Sequence, residues 1–186
     1  MNTFDLTLFN WLHNLAGRWF LLDWFMIFFA TWMAYILLTL FFVPLLKEKD
    51  RKKRWYTLLW VSLSAIVSRG IITEVIRFFY HRPRPFMALG FDPLIAHDTD
   101  PTFPSGHMAF YTVLILPLWY LEKKWAWIYG ASVILMGVGR VYAGVHWPTD
   151  IIGGIILGCA VTRGIKWAID RKQGKPAEQT EPATIE

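Results

Sequence analysis

The stretch of sequence that decides the fold reads LLDWFMIFFATWMAYILLTLFFVPLL and covers Leu21–Leu46, with Asp23 as its one charged residue. A helix of about 20 apolar residues crosses the hydrocarbon core of a bilayer, and this stretch is longer than that. Four further apolar segments follow along the chain, at about Tyr56–Tyr80, His107–Leu121, Trp125–Tyr142 and Asp150–Ile169. We therefore predict an all-α fold, a polytopic membrane bundle of five spanning helices.

The composition favours a membrane protein over a soluble domain. Of the 186 residues, 55% are apolar, 17% are aromatic and 18% are charged, whereas about 25% are charged in soluble proteins. Eleven residues are Trp, which is enriched at the interface between membrane and water. The single cysteine, Cys159, lies in an apolar segment, so no intramolecular disulfide is possible.

The two ends of the chain differ from the apolar segments. Residues Met1–Arg18 mix apolar positions with Asn10, His13 and Asn14, a pattern typical of a short helix in the membrane interface. The last residues are polar and contain proline, as disordered segments do. We predict a membrane-embedded domain over residues 1–170, which includes an N-terminal interfacial helix, and a disordered C-terminal tail over residues 171–186.

The formal net charge of +5 is arranged as short basic runs between the apolar segments. Such runs set the orientation of a membrane protein, because cytoplasmic loops are enriched in Lys and Arg. This pattern also argues against a nucleic-acid partner. The side that should be cytoplasmic carries Lys47, Lys49, Arg51, Lys52, Lys53, Arg54, Lys123, Lys124, Lys166, Arg171, Lys172 and Lys175. In the cytoplasmic (inner) membrane, the N-terminus would then lie outside and the C-terminus inside.

Three polar clusters fall together on the opposite, extracytoplasmic side of the predicted bundle. They are Arg77, Arg82, Arg84 and Pro85; then Pro104, Ser105, Gly106 and His107; then Arg140, His146 and Asp150. The predicted topology alone brings them to one end of the bundle. Guanidinium groups suit a phosphate dianion, and a helix start that contains glycine lets an anion approach the exposed backbone N–H groups.

His146 and Asp150 stand four residues apart at a predicted helix start. The carboxylate can hold one imidazole nitrogen and leave the other free to attack phosphorus. His107 can then protonate the leaving oxygen. This set of residues suits phosphoryl transfer through a phosphohistidine. Because no cluster of Asp, Glu and His has metal-ligand spacing, we expect neither a metal nor another cofactor.

In chain order, the three clusters resemble the signature of the type 2 phosphatidic acid phosphatase superfamily: Arg77-x6-Arg84-Pro85, Pro104-Ser105-Gly106-His107 and Arg140-x5-His146-x3-Asp150. This family includes lipid phosphate phosphatases and, more distantly, vanadium haloperoxidases. The resemblance implies a helical bundle with its site near the membrane surface. It implies a nucleophilic His146 that Asp150 orients, and His107 as the general acid. The residues implied to hold the phosphate are Arg77, Arg84, Ser105, Gly106 (through its N–H) and Arg140.

Two residues depart from that signature. The family usually has Lys where Arg77 stands, and it often has Ser where Gly139 stands. The first difference keeps the positive charge and changes the hydrogen-bond geometry. The second removes a hydroxyl contact to the phosphate.

Within the family, the chain resembles the bacitracin-resistance type of undecaprenyl-diphosphatase. The resemblance rests on the short chain, the basic loop after the first span and the stretch from His97 to Phe103. That subgroup often has Asp where Gly106 stands. The implied activity is hydrolysis of a polyprenyl (undecaprenyl) diphosphate to the monophosphate, with this lipid substrate and the membrane lipids as partners.

Other functions stay open at this point. A phosphatidylglycerophosphate or phosphatidic acid phosphatase would use the same residues. A lipid-phosphate binding or translocating protein would need no catalysis, but both histidines and Asp150 are intact. The predicted spans disfavour a haloperoxidase. The oligomeric state does not follow from the sequence.

Some polar residues and glycines have simpler structural interpretations. Arg69 and Glu74 lie inside the second predicted span, where charge is costly, and we expect Glu74 to pair with Arg69 or Arg77. His97 is predicted to be a loop residue, with contact to a polar head group as the alternative. The glycines predicted to allow close helix packing are Gly153, Gly154 and Gly158.

Overall fold

The computed structural model describes residues 2–172, and this range contains helices and no β-strand. The helices are α1 Thr3–His13, α2 Phe20–Lys47, α3 Arg51–Phe79, α4 Pro85–Leu89, α5 Gly106–Thr112, α6 Ile115–Leu121, α7 Lys123–Tyr142 and α8 Pro148–Lys172. The predicted all-α fold is confirmed for the described residues. Of the predicted tail, Arg171 and Lys172 belong to α8, and residues 173–186 lie outside the described residues.

Three of the described helices, α2, α3 and α8, are long and apolar enough to cross a membrane. The third predicted span is interrupted between α5 and α6, and the whole stretch Gly106–Leu121 is shorter than these three. Helix α7 has 20 residues, but it carries Lys123, Lys124 and Arg140. Length and composition therefore support three spans and do not confirm the predicted count of five.

The long helices keep large apolar side chains on their outer surfaces. Phe20 on α2 is 80% exposed and Phe79 at the end of α3 is 79% exposed. A soluble protein that exposed this much apolar area would tend to aggregate in water. Such an area suits a surface in contact with lipid, as expected for a membrane protein.

Helix α3 contains a π-helical segment over Ile66–Ile72 and returns to α-helical geometry over Thr73–Phe79. Short π-helical segments often mark functional sites. Within this one, the buried Ser68 hydroxyl donates a hydrogen bond of 2.9 Å to the carbonyl of Ala109 on α5. The next residue, Arg69, therefore lies close to the start of α5.

Glycines on α8 allow backbone contact with α5. A Cβ atom at Gly154 would lie 2.6 Å from the carbonyl oxygen of Ser105, the residue before α5, and one at Gly158 would lie 3.2 Å from the carbonyl oxygen of Ala109 on α5. A Cβ atom at Gly153 would lie 2.6 Å from the ring of Phe103. The predicted role of these glycines in close packing is confirmed, although Gly153 packs against a loop residue.

Gly139 makes a similar contact between α7 and α2. A Cβ atom at this position would lie 2.8 Å from the carbonyl oxygen of Met26 and 3.1 Å from the amide nitrogen of Ala30. Backbone atoms cannot move aside as a flexible side chain can. The absence of the expected Ser at position 139 thus has a packing reason.

We expect Gly139→Ser to lower the free energy of unfolding by about 1–3 kcal/mol, because overpacking against backbone separates the two helices. Thermal unfolding of the purified protein in detergent measures this. Gly130→Ser is the matched control on the same helix, since the nearest atom to a Cβ there is 3.9 Å away. Equal unfolding temperatures for the two variants would contradict the packing explanation.

Helix α1 is docked onto the end of the bundle where α7 ends and α8 begins. Phe9 is 1% exposed, and its ring centroid lies 5.2 Å from that of Trp147. At the end of α1, His13 Nδ1 lies 2.8 Å from the carbonyl oxygen of Tyr142. The helix that the sequence places in the membrane interface therefore contributes directly to the core around the predicted site.

Candidate active site

The structure brings the three polar clusters together around one cleft of about 370 Å³. Five of the predicted site residues line it: Arg77, Arg84, Gly106, His107 and His146. The other predicted residues, Ser105, Arg140 and Asp150, are buried and contact the lining residues or the loops that carry them. No predicted site residue lies elsewhere in the molecule.

His146 follows the turn after α7 and is 1% exposed. Its Nδ1 atom lies 2.9 Å from the hydroxyl of Thr102 and 3.5 Å from Asp150 Oδ2. The Thr102 hydroxyl donates its proton to Asp150 Oδ2 over 2.6 Å, so its oxygen accepts from His146 Nδ1–H. The other ring nitrogen, Nε2, lies 3.3 Å from the hydroxyl of Ser105 and keeps its lone pair.

The protonation state of His146 follows from its surroundings. Burial, and then the positive charges of Arg140 and Arg84, hold the pKa of His146 well below its usual range. The imidazole is therefore neutral near pH 7. A neutral imidazole whose Nδ1–H is held by an acceptor presents a nucleophilic Nε2.

Thr102 is a site residue that sequence analysis missed. The spacing of His146 and Asp150 predicts a direct contact between imidazole and carboxylate, whereas the structure also places a hydroxyl group within hydrogen-bond distance of both. Thr102 is 0% exposed. Its position two residues before Pro104 is the only sequence signal that could have found it.

The carboxylate of Asp150 is held from several directions. Its Oδ2 atom also accepts from the N–H of Trp147 over 2.7 Å, and its Oδ1 atom accepts from Arg82 Nη1 over 2.8 Å. Asp150 is 0% exposed. A buried carboxylate with this many donors has one orientation, and it can therefore orient His146.

Arg82 connects Asp150 to the N-terminal helix. Its Nη2 atom donates to Asp5 Oδ2 over 2.5 Å, and Asp5 is 1% exposed. Asp5 also accepts from the N–H and the hydroxyl of Thr149, over 2.9 Å and 2.7 Å. Sequence analysis placed Arg82 in a polar cluster without giving it a role, and it missed Asp5. An acidic residue within a mostly apolar helix was the available signal.

Three buried arginines of the predicted site have unused hydrogen-bond donors. Arg77, Arg84 and Arg140 are 9%, 1% and 3% exposed. Each donates to one backbone carbonyl, those of Pro104, Val145 and Ala30, respectively. The Nε atoms of all three arginines are buried and have no hydrogen-bond partner among the described residues. Buried donors without partners are costly, so this arrangement favours an anion that would accept from them.

Arg84 keeps its charge in this setting. Burial, and then the neighbouring Arg77 guanidinium, lower the pKa of Arg84 to about 10. The side chain is still a cation near pH 7. The site therefore concentrates positive charge where a phosphate would lie.

His97 lies in the loop before α5, as predicted, but the sequence did not predict its contact with a site arginine. Arg140 Nη2 donates to its Nε2 atom over 2.8 Å, and its ring centroid lies 6.0 Å from that of His146. Burial, and then the charges of Arg84 and Arg140, lower the pKa of His97 to about 4. His97 is therefore a neutral group that orients a phosphate-site arginine rather than a simple loop residue.

We expect the free energy of unfolding to fall as the pH drops from about 6.5 to about 4. In this window the unfolded chain protonates His97 at its ordinary pKa, while the folded protein leaves it neutral. Thermal unfolding in detergent across this range measures the slope. His97→Gln should show a smaller slope than the unsubstituted protein, and an equal slope would contradict the burial of a neutral His97.

His107 lies on the first turn of α5 and faces the same cleft. Its ring stacks on that of Tyr111 one turn later, with centroids 6.3 Å apart. The residue before it, Gly106, begins the helix and also lines the cleft. An acid or base at His107 therefore lies beside the helix start that lines the cleft.

Residues 2–172 contain no group of three or more His, Cys, Asp or Glu side chains that could hold a metal ion.

Residues 57–173 match the sequence profile of the PAP2 superfamily, and the chain belongs to this family. The match contains all three clusters, which confirms the predicted family. The protein is accordingly a membrane phosphatase of the phosphoric ester hydrolase class.

Two related proteins and one solved structure are similar to this chain over most of its length. The undecaprenyl-diphosphatase BcrC of Bacillus subtilis is 26% identical over 83% of this chain and 78% of its own length. Phosphatidylglycerophosphatase B of Bacillus subtilis is 32% identical over 63% of each chain. The crystal structure of Aquifex aeolicus LpxE superposes with a TM-score of 0.71 at 27% identity, over 89% of this chain and 96% of that one.

Proposed function

We propose that this protein hydrolyses a polyprenyl diphosphate, such as undecaprenyl diphosphate, to the monophosphate through a phosphohistidine intermediate. The observation that carries the phosphatase proposal is the set of three buried arginine Nε donors without partners beside a neutral His146. The choice of a diphosphate rests on the similarity to undecaprenyl-diphosphatase BcrC over most of both chains.

In the proposed first step, His146 Nε2 attacks the terminal phosphorus and the bond to the bridging oxygen breaks. Arg77, Arg84 and Arg140 donate hydrogen bonds to the phosphoryl oxygens, whose negative charge the site stabilises. Asp150 and Thr102 hold Nδ1–H so that the imidazole carries the phosphoryl group in one orientation. His107 donates its proton to the bridging oxygen, and the lipid monophosphate leaves.

In the proposed second step, water attacks the phosphohistidine. His107, now neutral, accepts a proton from that water, the phosphorus–nitrogen bond breaks and inorganic phosphate leaves. The Ser105 hydroxyl, 3.3 Å from His146 Nε2, and the N–H of Gly106 contact the phosphoryl group throughout. The step needs no metal or other cofactor.

For the membrane arrangement, we propose five spans, formed by α2, α3, α5 with α6, α7 and α8, and α1 at the interface. The basic loop between α2 and α3 and the C-terminal end of α8 would face the cytoplasm. The cleft would then open on the extracytoplasmic face of the cytoplasmic membrane. Residues 1–170 would form one membrane domain.

A substrate panel tests the proposed function. Phosphate release by the purified protein is measured in one detergent on undecaprenyl diphosphate, phosphatidylglycerophosphate and phosphatidic acid, each with and without EDTA. We expect kcat/KM to be highest on the diphosphate and unchanged by EDTA. Higher kcat/KM on a glycerolipid would contradict the substrate, and loss of activity that only a divalent ion restores would contradict the metal-free mechanism.

The second candidate is a glycerolipid phosphatase. The 32% identity to phosphatidylglycerophosphatase B favours it, because that identity is higher than the identity to the diphosphatase. The same panel decides between the two activities. The residues and steps proposed above would apply to a monoester substrate as well.

A further inference from the structure

Arg69 is a cation in the cleft that the proposed reaction leaves without a role. It lies in the π-helical segment of α3 and lines the same cleft as His107 and His146. Its side chain is 40% exposed. An arginine within a span is costly unless it is paired or functional.

The position of Arg69 is set by its contact with the start of α5. A Cβ atom at Gly106 would lie 2.6 Å from Arg69 Nε and 3.0 Å from Arg69 Cδ. The Arg69 side chain thus occupies the space that any side chain at position 106 would need. It lies beside the residue that precedes His107, the proposed acid for the leaving group.

A phosphate can displace Glu74, the ion-pair partner of Arg69. Arg69 Nη1 pairs with Glu74, whose side chain is 51% exposed, and the same carboxylate oxygen lies 3.8 Å from Arg77 Nη1. Exposed pairs of this kind contribute little to stability. A phosphate offers more negative charge and can bind a guanidinium through two oxygens, so it competes well with Glu74.

The remaining charges of the cleft direct a second phosphate to Arg69. Arg77 and Arg84 belong to the proposed site of the transferred phosphoryl group. The loop before α5 contributes two carboxylates, Asp98 and Asp100, which disfavour another anion on that side. Of the three arginines that line the cleft, Arg69 is the one left to bind a second phosphate.

We propose that Arg69 binds the lipid-side phosphate of a diphosphate substrate and makes this site selective for diphosphates over monoesters; this inference rests on the proposed function. When the terminal phosphoryl group moves to His146 Nε2, the electrons of the broken bond remain on the bridging oxygen. That oxygen takes the proton of His107, and the leaving group is a charged lipid monophosphate. Arg69 neutralises this charge. A monoester releases an alcohol, which gives Arg69 nothing to bind.

The test compares Arg69→Gln with the unsubstituted protein on two substrates of equal chain length, farnesyl diphosphate and farnesyl monophosphate. We expect kcat/KM to fall about 10- to 100-fold on the diphosphate, as for loss of a charge-assisted hydrogen bond, and less than about threefold on the monophosphate. Glu74→Gln is the matched control. It removes the other half of the ion pair and should leave the diphosphate activity unchanged or raised.

A second readout does not depend on turnover. Methylenediphosphonate, a diphosphate that cannot be hydrolysed, should inhibit Arg69→Gln more weakly than the unsubstituted protein, while inhibition by inorganic phosphate stays the same. An equal loss of kcat/KM on both substrates, or equal inhibition by methylenediphosphonate, would overturn the role of Arg69 and leave the proposed function standing. An unsubstituted protein that hydrolyses only monoesters would overturn both.

Discussion

Replacing His146 with Ala should lower kcat by about four orders of magnitude or more, because loss of a nucleophile removes the covalent route entirely. His146 is buried, and its Nε2 atom lies 3.3 Å from the hydroxyl of Ser105 at the cleft that Arg77 and Arg84 line. The measurement is phosphate release from the diphosphate under saturating substrate. A companion measurement is trapping of acid-labile phosphate on the protein, which should disappear in the variant.

His81→Ala is the matched control for this experiment. His81 lies in the loop after α3, is exposed and does not line the cleft. It should keep the activity of the unsubstituted protein. Activity of His146→Ala within about tenfold of the unsubstituted protein would end the histidine mechanism. It would also revive the possibility that the site only binds or translocates a lipid phosphate.

Asp150→Asn should lower kcat by about a hundredfold to a thousandfold. This lies between the loss of an orienting partner at a metal site, about 10- to 100-fold, and the Asp to Asn change in a Ser-His-Asp triad, about 10⁴-fold. Asp150 accepts from Arg82 on one oxygen and from Thr102 and Trp147 on the other. An amide has one acceptor oxygen, so one of these donors must face an NH₂ group. His146 would also lose the negative charge that stabilises its phosphorylated form.

Thr102→Val is a milder test of the same orienting contact. It removes the hydroxyl that Asp150 and His146 share but keeps the carboxylate 3.5 Å from His146 Nδ1. Its kcat should fall between those of Asp150→Asn and the unsubstituted protein, with KM little changed. Asp92→Asn, at an exposed loop position, is the matched control. Thermal unfolding of each variant separates loss of orientation from loss of fold. A correctly folded Asp150→Asn with activity within about threefold of the unsubstituted protein would contradict the orienting role.

The buried network behind Asp150 shows why the N-terminal helix matters for the site. Asp5 on α1 holds Arg82, and Arg82 holds Asp150. The sequence match to the family begins at residue 57, so Asp5 lies outside it. The family signature alone would therefore assign the whole site to residues that α1 in fact helps to position.

Much of the fold follows from local sequence. The apolar stretch of α2 and the length of α3 and α8 predict membrane helices without any knowledge of their neighbours, because the bilayer acts on each helix separately. The break between α5 and α6, and the polar residues of α7, weaken the same signal for these elements. Their place in the bundle depends on packing, as with Gly154 against Ser105 and Gly139 against Met26.

By itself, the sequence determined the family, the all-helical class and five of the residues that line the cleft. Those properties are encoded in apolar length and in motif spacing, which are local. Only the tertiary structure decided how the residues are connected. Thr102 lies within hydrogen-bond distance of both His146 and Asp150, Asp5 holds Arg82, and His97 accepts from Arg140. These contacts join residues that are far apart in the chain, and they depend on which backbones approach closely. The spacing of residues along the sequence does not predict which backbones approach closely.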